Sequence, residues 1–240
     1  MAALFGLADL RAGLDLLRVL RGVPGLEAAD VFDAASMELV REQRRLRAPL
    51  AGAHGAYVVA QLAAGEDPTE ELAAAVESLV PEPEVVAASD TAGRSELWAY
   101  REAINESVRA TGVAHKLAVC LPIAALPAYD AAVRERIATA YPSARLYIYG
   151  HLGDGNLHVN LVGPEPRDDQ VDELVLRCAT ELGGTISAEH GVGLAKRRYL
   201  SLCRSREDIE AMRALKAALD PGGLLGPGRV LPPCRSDFAV

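Results

Sequence analysis

The sequence predicts an α+β fold: a mostly antiparallel sheet with helices on one face and a polar site on the other. Up to residue 121, short apolar segments typical of strands alternate with longer segments of helical periodicity. Around Asp154-Gly155, apolar and polar residues alternate on both sides, which is typical of a β-hairpin. The 240 residues are 50% hydrophobic and 24% charged, enough to bury a sizeable core.

The N-terminal part is predicted to repeat a β-α-β pattern with short connections. The first helix follows Asp9, which can cap it, and ends at Gly22 and Pro24. Its apolar stripe consists of Leu10, Leu14, Leu17 and Leu20. The predicted strands are 4–7, as an edge strand, 26–32, 56–62 and 85–88, and the predicted helices after the first are 34–46 and 68–79.

The C-terminal part is predicted to contain the hairpin and several helices. A helix over 95–109 has one apolar face, formed by Leu97, Tyr100, Ile104 and Val108. A strand over 116–121 ends at Pro122, and helices follow at 126–141 and 168–182. Two more helices complete the chain, the last ending at Asp220-Pro221-Gly222-Gly223.

Charge and the length of the apolar stretches argue against nucleic-acid binding and against a transmembrane segment. The net charge is -8 and the pI is about 5.2, which argues against nucleic-acid binding through lysine and arginine contacts to phosphates. The longest apolar stretch, 117–129, contains two prolines and is shorter than the roughly 18 residues of a transmembrane segment. We therefore expect neither a nucleic-acid partner nor a membrane span.

The cysteines indicate a reducing compartment. Residues 1–7 are apolar but lack the basic leader of a secretory signal. The cysteines are widely spaced and form no Cys-x-x-Cys pair: Cys120, Cys178, Cys203 and Cys234. We expect reduced thiols in a cytoplasmic protein.

The hairpin predicts a metal site. A two-residue type I′ turn at Asp154-Gly155 would place His151 directly opposite His158, with Cβ atoms roughly 4.5–5.5 Å apart. Period-two alternation puts five polar or aromatic side chains on one face: Tyr147, Tyr149, His151, His158 and Asn160. The opposite, core-facing side consists of Leu146, Ile148, Leu157, Val159 and Leu161.

A carboxylate can complete this site. Glu189 lies in a glycine-rich connection and would give two histidines a third ligand, as in catalytic zinc or non-haem iron sites. His190 then lies beside the metal as a free base. A lone histidine is more often structural, but two opposed imidazoles on a polar strand face favour metal binding. The glycines at 150, 153 and 155 are flanked by strands, which argues against a phosphate-binding loop.

Several motifs together identify a family. They are Leu97-Trp-x-x-Arg-Glu102, Lys116, His151-x-Gly-Asp-Gly-Asn-x-His158, Glu189-His-Gly191, and the closing segment from Leu215-Lys216 to Asp220-Pro221. With these motifs the chain resembles, over residues 1–240, the C-terminal domain of FAD-linked oxidases. That family includes D-lactate dehydrogenase, D-2-hydroxyglutarate dehydrogenase and the glycolate oxidase D subunit.

The resemblance implies a ferredoxin-like fold and an FAD-dependent oxidoreductase that acts on the CH–OH group of a small 2-hydroxy acid. In matching relatives, the positions of His151, His158 and Glu189 hold a divalent metal, usually zinc. The position of His190 is the expected catalytic base. The resemblance implies contacts to the substrate carboxylate or hydroxyl for Arg101, Asn105, Lys116 and Asn160. Without the resemblance, Arg101 and Lys116 would be interpreted as ordinary surface charges.

The resemblance also implies a partner that carries FAD, and the chain differs from the family pattern at several positions. Full-length relatives carry an N-terminal FAD-binding domain. We expect this domain to be absent from this chain and to be supplied by a separate domain or subunit. The cofactor-binding residues of this chain stay unidentified. A homo-oligomer stays an open alternative. The chain departs from the family pattern at Asn105, at Ala118, where an acidic residue is usual, and at Gly226-Pro-Gly-Arg229, where Asn-Pro-Gly-Lys is usual.

Two other functions are compatible with the residues alone. Two histidines, a glutamate and a free histidine also suit a stand-alone metal-dependent hydrolase. A non-catalytic, truncated binding domain would fold but leave an apolar surface exposed. Hydrolysis of esters or phosphates by the zinc-loaded chain would favour the first alternative, and self-association without metal would favour the second.

Overall fold

The computed structural model describes residues 1–63 and 67–231. Its centre is a seven-stranded sheet in which every neighbouring pair is antiparallel, in the order β4-β1-β3-β2-β6-β7-β5. The strands are β1 (Ala2–Leu7), β2 (Leu26–Asp33), β3 (Ala56–Leu62), β4 (Glu84–Ala88), β5 (Ala114–Cys120), β6 (Arg145–His151) and β7 (Asn156–Val162). The predicted α+β class with an antiparallel sheet is confirmed.

The helices alternate with the strands as the apolar periodicity predicts. They are α1 (Leu10–Leu20), α2 (Ala34–Arg44), α3 (Thr69–Glu77), α4 (Thr91–Glu102), α5 (Ile104–Ala110), α6 (Leu126–Ala140), α7 (Asp169–Glu181), α8 (Gly193–Lys196) and α9 (Arg206–Leu219). Side chains of Asp9, Asp33, Asp90 and Asp168 cap the helices that follow them. The predicted helix 95–109 is two helices, α4 and α5, which meet at Ala103.

The strand order shows two related halves. In the first half, β1-α1-β2 is a split unit, because β3 lies between its two strands and pairs with both, and β4 adds to the outside of β1. The second half repeats this arrangement with β5, α6, β6 and β7. A bridge between Cys120 and Thr185 stands where a further strand beside β5 would lie. This topology agrees with the ferredoxin-like expectation.

Helices cover both faces of the sheet, which corrects the expectation of helices on one face. One core includes residues of α1, α3, α6 and α7, whereas the other includes residues of α2, α4 and α5. The reason is visible in β3, where five consecutive residues, Ala56 to Ala60, are buried. A strand buried on both sides needs a covering layer on each. β1 is likewise internal rather than an edge strand, since it lies between β4 and β3.

The structure also bears on the expectations about membrane spans and cysteines. Among the described residues, no helix is long and apolar enough to cross a bilayer. Cys120, Cys178 and Cys203 are free thiols, as expected, and Cys234 lies outside the described residues.

Candidate metal and substrate site

The hairpin of β6 and β7 forms the centre of the site, but its register differs from the prediction. His151 lies opposite Asn156, and His158 lies opposite Tyr149. The loop therefore has four residues, 152–155, rather than two. A type I′ turn needs positive φ at both central residues, and of Asp154 and Gly155 only Gly155 has it, at 77°.

Tertiary contacts explain this longer loop. Leu152 is fully buried, and its N–H donates to the Ala29 carbonyl at 2.8 Å. Leu152 therefore packs in the core instead of pairing with Leu157. The register moves by two residues, which preserves the faces because side chains alternate with period two. Ile148, Leu157, Val159 and Leu161 lie in one core, as predicted, and Tyr147 and Tyr149 lie in the other.

The three predicted metal ligands lie together. His151, His158 and Glu189 each offer a ligand atom within 4.8 Å of the others. Nε2 of His158 is 3.7 Å from Oε1 of Glu189, and the two imidazole rings are 6.1 Å apart between centroids at 78°. The histidines are diagonal neighbours across the ladder rather than directly opposed, a separation that still allows contact with one ion.

Asp30 supports one of these histidines, although its role was not predicted from the sequence. It lies directly opposite His151 in the β2–β6 ladder, and its side chain is 8% exposed. Oδ1 of Asp30 is 2.8 Å from Nδ1 of His151, which leaves Nε2 of the imidazole for a ligand. A carboxylate behind a histidine in this way fixes the ring and its tautomer in metal sites.

The protonation states suit a divalent cation. Burial, with the nearby Arg101 charge, lowers the pKa of His158 to about 4, so the imidazole is neutral at pH 7. A hydrogen bond from Asn156 holds the pKa of Glu189 below its ordinary value, so the carboxylate is ionised. Neutral imidazole and ionised carboxylate are the forms that bind metal. The donor set therefore fits a zinc-like ion.

The pocket beside these ligands has a volume of about 590 Å³ and is lined by all four predicted substrate residues. Arg101, from the end of α4, lies with Nε 3.0 Å from Oδ2 of Asp30 and with its guanidinium 4.6 Å from the centre of the Tyr149 ring. The Nε–H is not aligned with the carboxylate as a hydrogen bond, so the pair is held by charge.

The other three substrate candidates line the same pocket as Arg101. Nζ of Lys116 donates to Oδ1 of Asn105 at 2.7 Å, and burial lowers the pKa of this amine. Asn160, opposite Lys116 in the β5–β7 ladder, is buried, and its side chain interacts with the Tyr149 hydroxyl, although the amide nitrogen makes no hydrogen bond of good geometry in the described chain. A buried donor of this kind, facing a pocket, is suited to a polar ligand.

His190 lies at the rim of the pocket. Its Nε2 is 3.6 Å from Oε1 of Glu189, and its ring centroid is 6.4 Å from that of His158. Its side chain is largely exposed, as the connection between Ile186 and α8 places it outside regular structure. Gly191 and Gly193 have φ of 71° and 57°, so this connection uses backbone conformations that favour glycine.

Two more residues near the candidate site were not predicted. Asn156 bonds Glu189, and Lys196 lines the pocket with Nζ 3.0 Å from the Ala118 carbonyl. Asp30 had a usable signal, since it is a carboxylate inside an otherwise apolar strand. Lys196 had none, because it lies in a short Lys-Arg-Arg segment that resembles an ordinary surface.

Comparison with known proteins gives close sequence relatives. The chain is 37% identical over 217 residues to D-2-hydroxyglutarate dehydrogenase of Xanthomonas citri pv. viticola, covering 85% of this chain and 46% of that protein. It is 30% identical over 241 residues to mitochondrial D-2-hydroxyglutarate dehydrogenase of Danio rerio, covering 96% of this chain and 44% of that protein. The chain thus spans about half the length of these relatives.

Solved structures share the fold at low identity. The 4-ethylphenol oxidase of Gulosibacter chungangensis matches with a TM-score of 0.59 at 16% identity, covering 96% of this chain and 54% of that one. An alkyldihydroxyacetonephosphate synthase matches with a TM-score of 0.54 at 10% identity, covering 95% of this chain and 44% of that one. Residues 1–230 match the family described as FAD linked oxidases, C-terminal domain. On this match and these relatives, the chain belongs to the FAD-linked oxidase C-terminal domain family.

Proposed function

We propose that this chain is the substrate- and metal-binding half of an FAD-dependent 2-hydroxyacid dehydrogenase of the D-lactate, glycolate or D-2-hydroxyglutarate type. The observation that carries the proposal is that His158 belongs both to the donor cluster of His151, His158 and Glu189 and to the pocket lined by the cations Arg101 and Lys116. The relatives named D-2-hydroxyglutarate dehydrogenase support it. An FAD-binding domain or subunit would complete the enzyme.

The donors and cations have separate roles in this proposal. Arg101 binds the substrate carboxylate through its Nη groups, since the contact with Asp30 uses Nε. Lys116, Asn105 and Asn160, which line the same pocket, bind the remaining oxygens. His151, His158 and Glu189 would hold a divalent cation, for which zinc is our choice because two imidazoles and a carboxylate suit that ion. We assign no residue of this chain to FAD.

The reaction is oxidation of the substrate's CH–OH group. When bound, the cation supplies a Lewis acid at the hydroxyl oxygen and the flavin supplies the hydride acceptor. His190, at the pocket rim, takes the hydroxyl proton as the C–H electron pair leaves the α-carbon. Arg101 fixes which face of that carbon is open to the acceptor. The products are a 2-oxo acid, a reduced acceptor and a proton on His190.

A chimera tests the function. The segment of the full-length Xanthomonas citri enzyme that this chain matches is replaced by this chain, and the product is purified and supplied with zinc. We expect a yellow protein that reduces an artificial electron acceptor with D-lactate, glycolate or D-2-hydroxyglutarate. An Arg101→Lys variant should raise KM about 10- to 100-fold, because lysine cannot form the two-bond contact. Arg145→Lys, on an exposed residue outside the pocket, serves as the control.

Two results would contradict the proposal. A flavin-containing chimera that oxidises none of the three acids contradicts the dehydrogenase assignment. Hydrolysis of esters or phosphates by the zinc-loaded chain alone would instead support a metal hydrolase. Location is a separate matter: the Danio rerio relative is named mitochondrial, and a cytoplasmic location for this chain stays a prediction.

A further inference from the structure

Lys196 lines the pocket, but the proposed function gives it no task. Its Nζ donates to the Ala118 carbonyl at 3.0 Å, and this is its one hydrogen bond within the part of the chain that the structure describes. An ammonium group has three N–H donors. The described residues therefore leave donors of Lys196 free for a ligand.

The charge of Lys196 is also not matched by a close carboxylate. Asp172 acts on it electrostatically, but the two side chains form no ion pair, and Oδ1 of Asp172 lies 2.8 Å from Nδ1 of His115. Burial lowers the pKa of Lys196, and the Asp172 charge opposes this shift. A partly buried ammonium in this state is stabilised when an anion binds beside it.

Ala118 explains why no carboxylate accompanies this ammonium. It lines the pocket from β5, two residues beyond Lys116 and therefore on the same face of the strand. Its methyl group brings no charge, and the position is one of the chain's departures from the family pattern. The backbone of residue 118 thus bonds to Lys196, while its side chain leaves the charge of that lysine unmatched.

The positive charges of the pocket exceed what one substrate carboxylate can match. Three cations line it, Arg101, Lys116 and Lys196, and no aspartate or glutamate of the described chain is among its lining residues. Asp30 pairs with Arg101, so the two ammonium groups are left with neutral protein partners. Glycolate and lactate supply one negative charge for these two groups.

We propose that Lys196, left unmatched by Ala118, is a specificity-determining residue whose ammonium binds a second carboxylate, at the end of the substrate's side chain. This inference rests on the proposed function, in which Arg101 binds the first carboxylate. The pocket volume of about 590 Å³ leaves room for such a side chain. One ammonium matches one carboxylate, whereas a phosphate would bring up to about two negative charges. The preferred substrate is then a 2-hydroxy dicarboxylate.

The competing role for Lys196 is structural. Its bond to the Ala118 carbonyl ties α8 to β5, and loss of this tie would weaken every ligand of the pocket alike. A specificity role instead weakens ligands that carry the second carboxylate. Two acids of equal chain length separate the two roles: D-2-hydroxyglutarate, which ends in a carboxylate, and D-2-hydroxyvalerate, which ends in a methyl group.

The test measures the binding of both acids to the isolated, zinc-supplied full chain by titration calorimetry. The readout is the ratio of the two dissociation constants, with thermal unfolding as the check on folding. Lys196→Met removes the charge and keeps the length of the side chain, whereas Lys196→Arg keeps a charge. Ala118→Asp keeps the lysine and places a carboxylate beside it. Ala114→Asp is the matched control, since Ala114 lies on the same face of β5 but does not line the pocket.

We expect the parent to bind D-2-hydroxyglutarate at least about tenfold more tightly than D-2-hydroxyvalerate. Lys196→Met and Ala118→Asp should each lower this ratio by about tenfold, the effect of losing a hydrogen bond to a charged group. Lys196→Arg should keep the ratio within about fivefold of the parent. Ala114→Asp should keep it within about twofold, because its charge lies roughly 13 Å farther along the strand and is screened.

Three results overturn the inference: a parent that binds both acids equally or binds neither, a Lys196→Met variant that keeps the ratio of the parent, or an Ala118→Asp variant that keeps it. If Lys196→Met does not fold, Ala118→Asp decides alone.

Failure of the proposed function is distinguishable from failure of this inference. If the isolated chain loses its preference in Lys196→Met while the chimera oxidises none of the three acids, the role of Lys196 is supported and the dehydrogenase activity is contradicted. A chimera that oxidises D-lactate or glycolate with a kcat/KM equal to that for D-2-hydroxyglutarate supports the activity and overturns the role of Lys196.

Discussion

Asp30 and His151 face each other across the β2–β6 ladder, with Oδ1 of the aspartate 2.8 Å from Nδ1 of the imidazole. The same carboxylate lies 3.0 Å from Nε of Arg101. This ladder is the junction between the two halves of the sheet. One buried carboxylate therefore links a candidate metal ligand to the candidate clamp for the substrate, at the place where the halves meet.

Replacing Asp30 with asparagine should weaken metal binding without unfolding the chain. The amide no longer stabilises the imidazole as a metal ligand, an effect that typically costs 10- to 100-fold in affinity. Zinc titration with a competing chelator measures it.

The control for that experiment is Asp33→Asn. Asp33 is also 8% exposed and also lies in β2, but its side chain pairs with Arg134 and accepts from the Ile148 N–H, away from the pocket. We expect this variant to lose about 1–3 kcal/mol of stability and no zinc affinity. Equal zinc affinity in Asp30→Asn and the parent would contradict a role for Asp30 in positioning His151.

Removing one imidazole should abolish stoichiometric metal binding. His158→Ala deletes a ligand from a three-residue set, so bound zinc should fall from about one ion per chain to below about a tenth. Elemental analysis after dialysis measures it. His54→Ala is the control, because that histidine bonds Glu84 at 2.9 Å outside the site. Equal zinc in the parent and His158→Ala would exclude the site.

The four-residue hairpin loop predicts opposite outcomes for two glycines. A Cβ on Gly155 would lie 2.1 Å from the Leu121 carbonyl oxygen, at a φ of 77°. Gly155→Ala should therefore destabilise the chain by at least about 1–3 kcal/mol.

Gly153 is the control in the same loop, since a Cβ there meets nothing within 4 Å and its φ is not positive. Gly153→Ala should be neutral or stabilising by up to about 1 kcal/mol. Urea unfolding at equilibrium measures both. Similar losses in the two variants would contradict the close approach of Gly155 to the Leu121 carbonyl.

Acid should remove the contribution of Glu84 to stability. The N–H groups of Ala51 and Gly52, and then His54, hold the pKa of Glu84 below its ordinary value of 4.5. A lowered folded-state pKa gives stability that is present above the ordinary value and is lost as the pH falls below it.

The Tm difference between the parent and Glu84→Gln should therefore shrink between pH 5.5 and pH 3. Glu82→Gln, a change on an exposed neighbour, should show a small difference that does not vary in this way. A constant difference between the parent and Glu84→Gln over this range would show that the carboxylate charge is not what stabilises the loop.

Local sequence determined the elements and the alternation of faces, and it supplied most of the candidate site. Apolar spacing and aspartate caps place the helices, and period two separates His151 and His158 from the leucines of the core whatever the turn. The family motifs named Glu189 and His190 as partners. The elements and the faces depend on neighbours within a few residues, which a single sequence contains.

Only the tertiary structure decided the hairpin register, the layering and the role of Asp30. Leu152 is drawn into the core by contacts with β2, and the helices α2, α4 and α5 cover the second face because β3 is buried on both sides. Asp30 meets His151 across 121 residues of chain. Such contacts depend on which strands become neighbours, and that is settled by the packing of the whole sheet rather than by any local pattern.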